Sequence, residues 1–229
     1  MFQDDLSRDG VVSHFPQRPD TRFPAVSVVR AYWEALRNGR DVPFRSEIDP
    51  RGIESALEHT FILERIAPRL ARFRLAGTHL NDLIGMEVRG MPITSLFVPL
   101  ARSEVEAVLS RVFDGPETAE LTLAGETGAG RAGMEGRMIL LPLRSDLGDV
   151  SRVLGCLVGL GPIGRTPQRF AIAGARVGPT VGWARGNPGH PVMPPMARGF
   201  AEDVRPFVRP DNVAPARRPA LRLVVSDGE

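Results

Sequence analysis

The spacing of apolar residues changes near residue 77, where a two-residue alternation gives way to helical spacing. Phe73, Leu75 and Gly77 alternate with arginines, which predicts a strand with one buried face. The next apolar positions predict a short helix and are Leu80, Leu83 and Ile84. Gly85 suits the left-handed position that closes so short a helix. We therefore expect a strand that runs into short helices and forms a half-open cup.

Two helices are predicted ahead of this corner. The first carries Val29, Tyr32, Trp33 and Leu36 on one face and stops at Asn38-Gly39. The second begins at Asp49-Pro50. Asp49 can cap the free N–H groups there, and Pro50 suits the first helical position because its missing N–H has no partner to lose.

Five strands and one long helix complete the predicted core. The helix begins at a capping box of Ser103 and Glu106 and ends at Gly115-Pro116. The strands are separated by short loops, which favours antiparallel neighbours, and they cover residues 61–67, 69–76, 119–123, 134–143 and 153–160. The predicted fold class is α+β: a five-stranded antiparallel sheet, short helices on one face, an N-terminal helical prefix and a disordered C-terminal tail.

Composition divides the chain into three parts. Residues 1–25 have no periodicity and predict a flexible lead-in, and residues 26–164 form the predicted domain. Residues 165–229 contain ten prolines and seven glycines, and ten arginines against five acids, which predicts a disordered basic tail. Isolated apolar residues in that tail are expected to dock on a partner, and Leu221–Val225 has the character of a strand that adds to a sheet edge. The docking candidates are Trp183, Phe200, Leu221, Leu223 and Val225.

Several classes of protein are excluded or disfavoured. Cys156 is the only cysteine, so no intrachain disulfide and no cysteine cluster for a metal can form. No apolar stretch approaches the roughly 18 to 20 residues that cross a bilayer, and the acidic start lacks the apolar region of a secretory signal. The expected location is the cytoplasm.

The sequence also lacks catalytic motifs. The glycine-rich stretch 125–133 precedes a strand and is interpreted as a hairpin loop. The absence of a catalytic motif predicts a protein that is not an enzyme.

Five motifs along the chain can be compared with known families: Tyr32-Trp33-x-x-Leu36-Arg37-x-Gly39-Arg40, Pro43-x-Arg45 with Ile48-Asp49-Pro50, Arg72 to Thr78, Leu83-Ile84-Gly85-x-Glu87-x-Arg89-Gly90, and Leu140 to Leu143. Together they resemble the PAS domain, and in particular a family of small stand-alone bacterial PAS proteins. The resemblance covers roughly residues 26–164. It implies a sensory or protein-interaction module without catalysis, and its motif positions are Trp33, Arg45, Asp49, Pro50, Arg74, Gly77, Gly85 and Gly90.

The resemblance leaves the ligand open, because PAS domains hold haem, flavin, small metabolites or nothing. No cofactor is predicted; haem or a small apolar ligand is the alternative, in a cup lined by Phe73, Leu75, Gly77, His79 and Leu83. Haem would use His79 as its axial ligand. Light-driven flavin chemistry would need a cysteine on the helix after the second strand. Cys156 lies instead on the last predicted strand and is interpreted as a small buried hydrophobe.

The resulting hypothesis is a regulatory PAS protein that acts as a sensor or adaptor for a protein partner. Tyr32 and Trp33 are candidate contacts for a homodimer, with packing on their own sheet as the alternative. Arg45 is expected to form a structural ion pair with Asp49, with anion binding as the alternative. A regulator that binds nucleic acid through the basic tail is the second functional hypothesis.

Overall fold

The computed structural model describes residues 21–128, 130 and 133–180. Three α-helices lie in these residues, α1 (Pro24–Arg37), α2 (Thr78–Ile84) and α3 (Arg102–Asp114). Short 3₁₀ segments cover Arg45–Glu47, Pro50–His59, Ile93–Leu96 and Pro99–Ala101. The strands are β1 (Thr60–Ala67), β2 (Leu70–Ala76), β3 (Glu117–Gly125), β4 (Glu135–Arg144), β5 (Val150–Leu160) and β6 (Phe170–Pro179).

All six strands belong to one antiparallel sheet with the order β2-β1-β5-β4-β3-β6. The predicted α+β class and the antiparallel arrangement are confirmed, but the expected number of five strands is wrong. The sixth strand comes from the region predicted to be a disordered tail, and it pairs with β3 from Glu117↔Pro179 to Gly125↔Phe170. Its alanines, glycines and proline have little intrinsic strand preference. The open edge of β3 supplies the backbone partners that local sequence cannot reveal.

The sheet separates two apolar cores. One face of the sheet packs against α2, α3 and the segment around Ile93–Leu96, and this side is the cup. The other face packs against α1 and Pro50–His59. Alternation along β5 divides its residues between them: Val153 and Leu157 point into the cup, whereas Leu154 and Cys156 point toward α1. The helical prefix therefore covers the outer face of the sheet, and the short helices crowd the inner one.

Helix ends follow the predicted backbone chemistry in most places. Asn38 ends α1 in the left-handed conformation (φ 45°), and Gly85 ends α2 in the same way (φ 82°). Asp49 caps the segment after it, because its carboxylate accepts a hydrogen bond from the Arg51 N–H at 3.0 Å. That segment is a 3₁₀ helix with a break at Ile53, where an α-helix was expected.

The predicted capping box at the start of α3 is wrong. The helix begins at Arg102 with Ala101 at its N-cap, so Ser103 already lies within the first turn. The 3₁₀ segment Pro99–Ala101 leads directly into the helix and takes the place of a side-chain cap. At the other end of the chain, α1 begins at Pro24 after a buried Phe23, slightly before the predicted domain boundary. Residues 1–20 of the predicted lead-in lie outside the described residues.

Candidate functional site

The cup is filled by side chains of the protein itself. Phe73 and Leu83, two of the predicted pocket residues, are buried inside it, and the Phe73 ring meets the Phe61 ring edge-on at 5.4 Å. Other large side chains that fill the same space are Leu63, Leu80, Ile93, Leu96, Phe97, Leu109 and Phe170. Two open hollows in the described residues lie outside this space, one beside Arg144 and one over Glu120. The cup is thus a packed core.

Leu75 does not lie in the cup, contrary to the prediction. Ile62 pairs with Leu75 while the adjacent Leu63 pairs with Phe73, so Arg74 is an extra residue, a β-bulge, in β2. The bulge shifts the alternation by one position and places Leu75 on the outer face, where it is 50% exposed. A single inserted residue thereby removes Leu75 from the predicted pocket and leaves Arg74 exposed at the bulge.

Gly77 has a backbone role at the corner. Its N–H donates to the Thr60 carbonyl at 2.8 Å, which joins the end of β2 to the start of β1. A Cβ at this position would overlap the carbonyl oxygens of Leu57 and Glu58. Only glycine at position 77 lets the end of β2 approach the backbone of Leu57 and Glu58 so closely.

His79 links α2 to the sheet. Its Nε2 accepts a hydrogen bond from the Gly159 N–H at 3.1 Å, and its ring lies edge-on to the His59 ring at 4.6 Å. Burial lowers the pKa of His79, the charge of His59 lowers it further, and Asp82 and Glu58 act in the opposite direction. The Nε2 lone pair that an axial haem ligand would use is engaged by the backbone here.

A connection between β5 and β6 lies against α2 and the β3–β4 hairpin, and we call residues 161–169 the strap. The Gln168 N–H donates to the Leu83 carbonyl at 2.7 Å, and the Arg165 N–H donates to the Gly130 carbonyl at 3.2 Å. The strap therefore joins the end of α2 to the β3–β4 hairpin. The sequence prediction missed it because its glycines and prolines have the composition of a disordered segment.

Trp33 packs on its own sheet and is not available as a dimer contact. Its side chain is completely buried, and the indole N–H donates to the Pro142 carbonyl at 2.8 Å. The Tyr32 hydroxyl accepts from the Asp49 N–H at 2.7 Å and lies 3.1 Å from the Asp49 carbonyl. Burial therefore removes Trp33 as a dimer contact, and Tyr32 joins α1 to the segment that follows Asp49. The predicted homodimer stays a prediction.

The predicted ion pair between Arg45 and Asp49 is also wrong within the described residues. Glu47 forms the local ion pair instead, since both of its oxygens lie 2.8 Å from Arg40 Nη2 and one accepts from the Phe44 N–H. The Arg40 guanidinium lowers the pKa of Glu47. Among the remaining motif positions, Gly90 has a left-handed conformation (φ 84°) and donates its N–H to the Phe73 carbonyl.

The outer face of the sheet carries a charged cluster that the sequence prediction missed. Three arginines from three elements surround the carboxylate of Glu120 on β3: Arg30 on α1, Arg137 on β4 and Arg176 on β6. We call these four residues the Glu120 cluster. A usable signal was present, because Glu120 and Arg137 are charged residues at half-buried positions of β3 and β4.

The remaining predictions concern Cys156, metal binding, membrane insertion and the C-terminal tail. Cys156 is buried, and burial raises the pKa of its thiol to about 12. No group of three metal-ligating side chains occurs in the described part of the chain, and no helix there is long and apolar enough to span a membrane. The tail candidates Trp183, Phe200, Leu221, Leu223 and Val225 lie outside the described residues. Tail docking, tail binding to nucleic acid and a cytoplasmic location stay predictions.

Two light-oxygen-voltage (LOV) domains are among the similar solved structures. One, studied with a flavin analogue, is 17% identical with a TM-score of 0.39 and covers 48% of this chain and 83% of its own. The other, the LOV domain of the blue-light photoreceptor Aureochrome1 in its light state, is 12% identical with a TM-score of 0.34 and covers 48% and 88%.

Sequence comparison identifies the family. No curated protein matches this chain significantly. The sequence model of the PAS domain matches residues 22–158, which span α1, the corner at Gly77 and nearly all of β5. The strap and β6 lie beyond this match. Because the match covers more than half of the chain, the protein belongs to the PAS domain family.

Proposed function

We propose that this PAS protein is a regulatory adaptor that passes on a signal by contact with another protein, and that it has no catalytic activity. Membership of the family implies a sensory or regulatory role. The observation that carries the adaptor proposal is the packing of the cup, whose space is occupied by aromatic and aliphatic side chains. A packed cup favours a signal that enters through the surface of the protein.

The contacts of His79 and Cys156, the two side chains best suited to acid–base or nucleophilic catalysis, support a non-catalytic role. His79 Nε2 is held by a backbone N–H, and the Cys156 thiol is buried between the sheet and α1. A nucleophilic thiol requires a lowered pKa and access to a substrate, whereas the pKa of Cys156 is raised. Both residues are explained by their structural contacts.

The strap strengthens the adaptor proposal. It contacts both α2 and the β3–β4 hairpin through backbone hydrogen bonds, and its Ile163 packs against the apolar core of the cup. A ligand that entered would have to displace the strap and the side chains behind it. Each displaced contact would subtract from the binding free energy of that ligand.

Native mass spectrometry and absorption spectroscopy of the freshly purified full chain test the proposal. The expected result is the mass of the polypeptide alone, without absorption in the visible range. As a second measurement, the melting temperature is recorded with and without the small-molecule filtrate of the cells that express the protein. An adaptor is expected to keep its melting temperature, whereas a ligand for the cup would raise it. A stoichiometric bound molecule, or a clear rise, contradicts the proposal.

A further inference from the structure

The loop between β4 and β5, residues 145–149, presents an apolar side chain to solvent. Leu147 in this loop is 95% exposed. The loop is held in shape by its own hydrogen bonds. The Ser145 N–H donates to the Asp149 carbonyl at 2.8 Å, and the Gly148 N–H donates to the Ser145 carbonyl at 2.9 Å. The Leu147 N–H donates to Ser145 Oγ at 3.1 Å. Because the backbone is already ordered, a partner that covers Leu147 pays little entropy to fix the loop.

An open hollow lies beside this loop. The Arg144 N–H donates to the Pro43 carbonyl at 2.9 Å, which holds the segment after α1 against the end of β4 and forms the hollow between them. Gly148 belongs both to the loop and to the hollow, so the exposed leucine and a recess with apolar lining adjoin on one surface. The lining includes Arg40, Asp41, Val42, Phe44, Arg144 and Gly148.

Arg144 and Asp146 of this surface make no ion pair within the described residues. Arg144 Nη1 donates to the Gly148 carbonyl at 3.0 Å, and Asp146 is exposed next to Leu147. In the part of the chain that the structure describes, neither side chain has an oppositely charged partner. By contrast, the Arg40 guanidinium at the hollow is paired with a carboxylate, that of Glu47. The surface thus carries a cation and an anion that are both available to a partner.

The charges of this surface indicate the kind of partner. Asp41 and Asp146 are exposed near Arg144, so a uniformly acidic segment is repelled by the two carboxylates and a uniformly basic one by the guanidinium. The carboxylates also repel the phosphates of a nucleic acid. The partner that matches carries both a free acid and a free base beside an apolar side chain. A second copy of this chain has that combination.

We propose that two copies of this chain form a dimer with twofold symmetry through this surface. Leu147 of each copy enters the hollow of the other, and Asp146 of each copy pairs with Arg144 of the other. A twofold interface uses the same patch on both subunits, so the projecting group and its recess must both lie on that patch, as they do here. The inference goes beyond the proposed function, which concerns a different protein, and it uses residues other than the predicted contact at Tyr32 and Trp33.

The dimer is expected to be weak and reversible. One apolar anchor and one ion pair from each copy make a small contact, for which we expect a dissociation constant on the order of 10–100 µM. The exposed ion pairs mainly set the orientation, and the two buried leucines contribute most of the affinity. Twofold symmetry duplicates every contact, so one substitution removes two contacts from the dimer.

Sedimentation velocity of the full chain between about 1 and 300 µM tests the dimer, because this range spans the expected dissociation constant. We expect the wild type to pass from monomer to dimer. Leu147→Ala is expected to weaken association at least about a hundredfold, since each dimer loses two buried leucine side chains. Leu100→Ala is the matched control: Leu100 is 94% exposed on a different element, and its truncation is expected to leave association unchanged.

Charge reversal tests the two ion pairs. Asp146→Arg and Arg144→Asp each place like charges opposite one another, so each variant alone is expected to associate at least about tenfold more weakly than the wild type. In an equimolar mixture the arginines of one variant meet the carboxylates of the other, and a heterodimer is expected. Thermal unfolding first establishes that both variants fold. If Arg144→Asp does not fold, because Arg144 also bonds the Gly148 carbonyl, the comparison of Leu147→Ala with Leu100→Ala decides the matter.

Three results would overturn the inference: a monomer at every concentration, equal effects of Leu147→Ala and Leu100→Ala, or a mixture of the two folded charge variants that stays monomeric. Failure of the proposed function is a separate result. A dimer has twice the mass of the polypeptide in native mass spectrometry, whereas a bound molecule adds its own mass to each chain. A bound cofactor in a wild-type dimer would contradict the adaptor function alone, and a monomer without cofactor would contradict the dimer alone.

Discussion

His79 Nε2 accepts a hydrogen bond from the Gly159 N–H, with 3.1 Å between the two nitrogens. His79 is the second residue of α2, and Gly159 lies near the end of β5, so this bond fixes the start of the helix against the sheet. Only the neutral imidazole can accept at Nε2. The contact therefore connects the protonation of one side chain to the packing of the cup.

Stability is expected to decrease when His79 becomes protonated. The pKa of His79 is lowered from its ordinary 6.5 in the folded protein, chiefly by burial. The unfolded chain then binds more protons than the folded one, so the contribution of His79 is present above pH 6.5 and is lost as the pH falls through the lower folded pKa. Urea unfolding between about pH 7.5 and pH 5 measures this loss.

His79→Gln is the matched control for this pH dependence. Glutamine can accept the same backbone hydrogen bond through its carbonyl oxygen but does not titrate. The difference in unfolding free energy between wild type and variant is therefore expected to change with pH, while contributions from the carboxylates cancel. A difference that stays constant across this range would contradict the role of His79 as a titrating acceptor.

Truncation of Trp33 is expected to destabilise the domain. Trp33→Phe leaves the Pro142 carbonyl beneath α1 without its donor, which is expected to lower the unfolding free energy by about 1–3 kcal/mol. Trp33→Ala also creates a cavity and is expected to lower it by about 3–5 kcal/mol. Leu100→Ala is the control, because Leu100 is 94% exposed and its loss is expected to change stability by less than about 0.5 kcal/mol. Chemical denaturation compares them. A stable Trp33→Ala variant that changes only oligomeric state would restore the dimer hypothesis.

A methyl group at Gly77 is expected to disturb the corner. Gly77→Ala places a Cβ against the backbone carbonyls of Leu57 and Glu58, which cannot rotate away. The end of the 3₁₀ segment Pro50–His59 or the end of β2 must therefore shift, at a cost of about 1–3 kcal/mol. Gly174→Ala on β6 is the matched control, since the nearest atom to its added Cβ is 4.0 Å away. Thermal unfolding of the two variants measures the contrast. Equal melting temperatures would show that the corner tolerates a side chain.

The folded part of the chain is expected to extend at least to residue 180. A chain that ends at Gly164 loses β6 and with it Phe170, whose buried side chain alone accounts for about 3–5 kcal/mol. We therefore expect the 1–164 chain to be less stable than the 1–180 chain by at least this amount, and to aggregate through the exposed edge of β3. Urea unfolding and light scattering compare the two chains. Equal stability would restore the boundary predicted from composition.

Local patterns accounted for most elements of the domain. The apolar segments of β3, β4 and β5, the stop at Asn38 and the turn to α2 at Gly77 are set by residues close in sequence, so a single stretch contains the whole signal. The Asp49 cap is local in the same sense. The family resemblance, which depends on motifs of this kind, was confirmed by the match over residues 22–158.

Patterns failed where a second segment decides the conformation. The bulge at Arg74 depends on the register of β1, and it alone removed Leu75 from the predicted pocket. Trp33 has the same side chain whether it packs on its own sheet or on a second subunit, and only the position of Pro142 distinguishes the two. Likewise, whether the cup is hollow depends on the sizes of side chains from eight or more separated positions.

The sequence by itself determined the class of the fold, its antiparallel order of elements and the positions of its turns, because periodicity, caps and glycines act over a few residues. The tertiary structure alone decided that residues 165–180 belong to the domain, that the cup is packed, and that three arginines meet at Glu120. These features arise when strands distant in the chain become neighbours. Each of these contacts stabilises the fold only when two distant segments meet, so no single stretch of sequence predicts it.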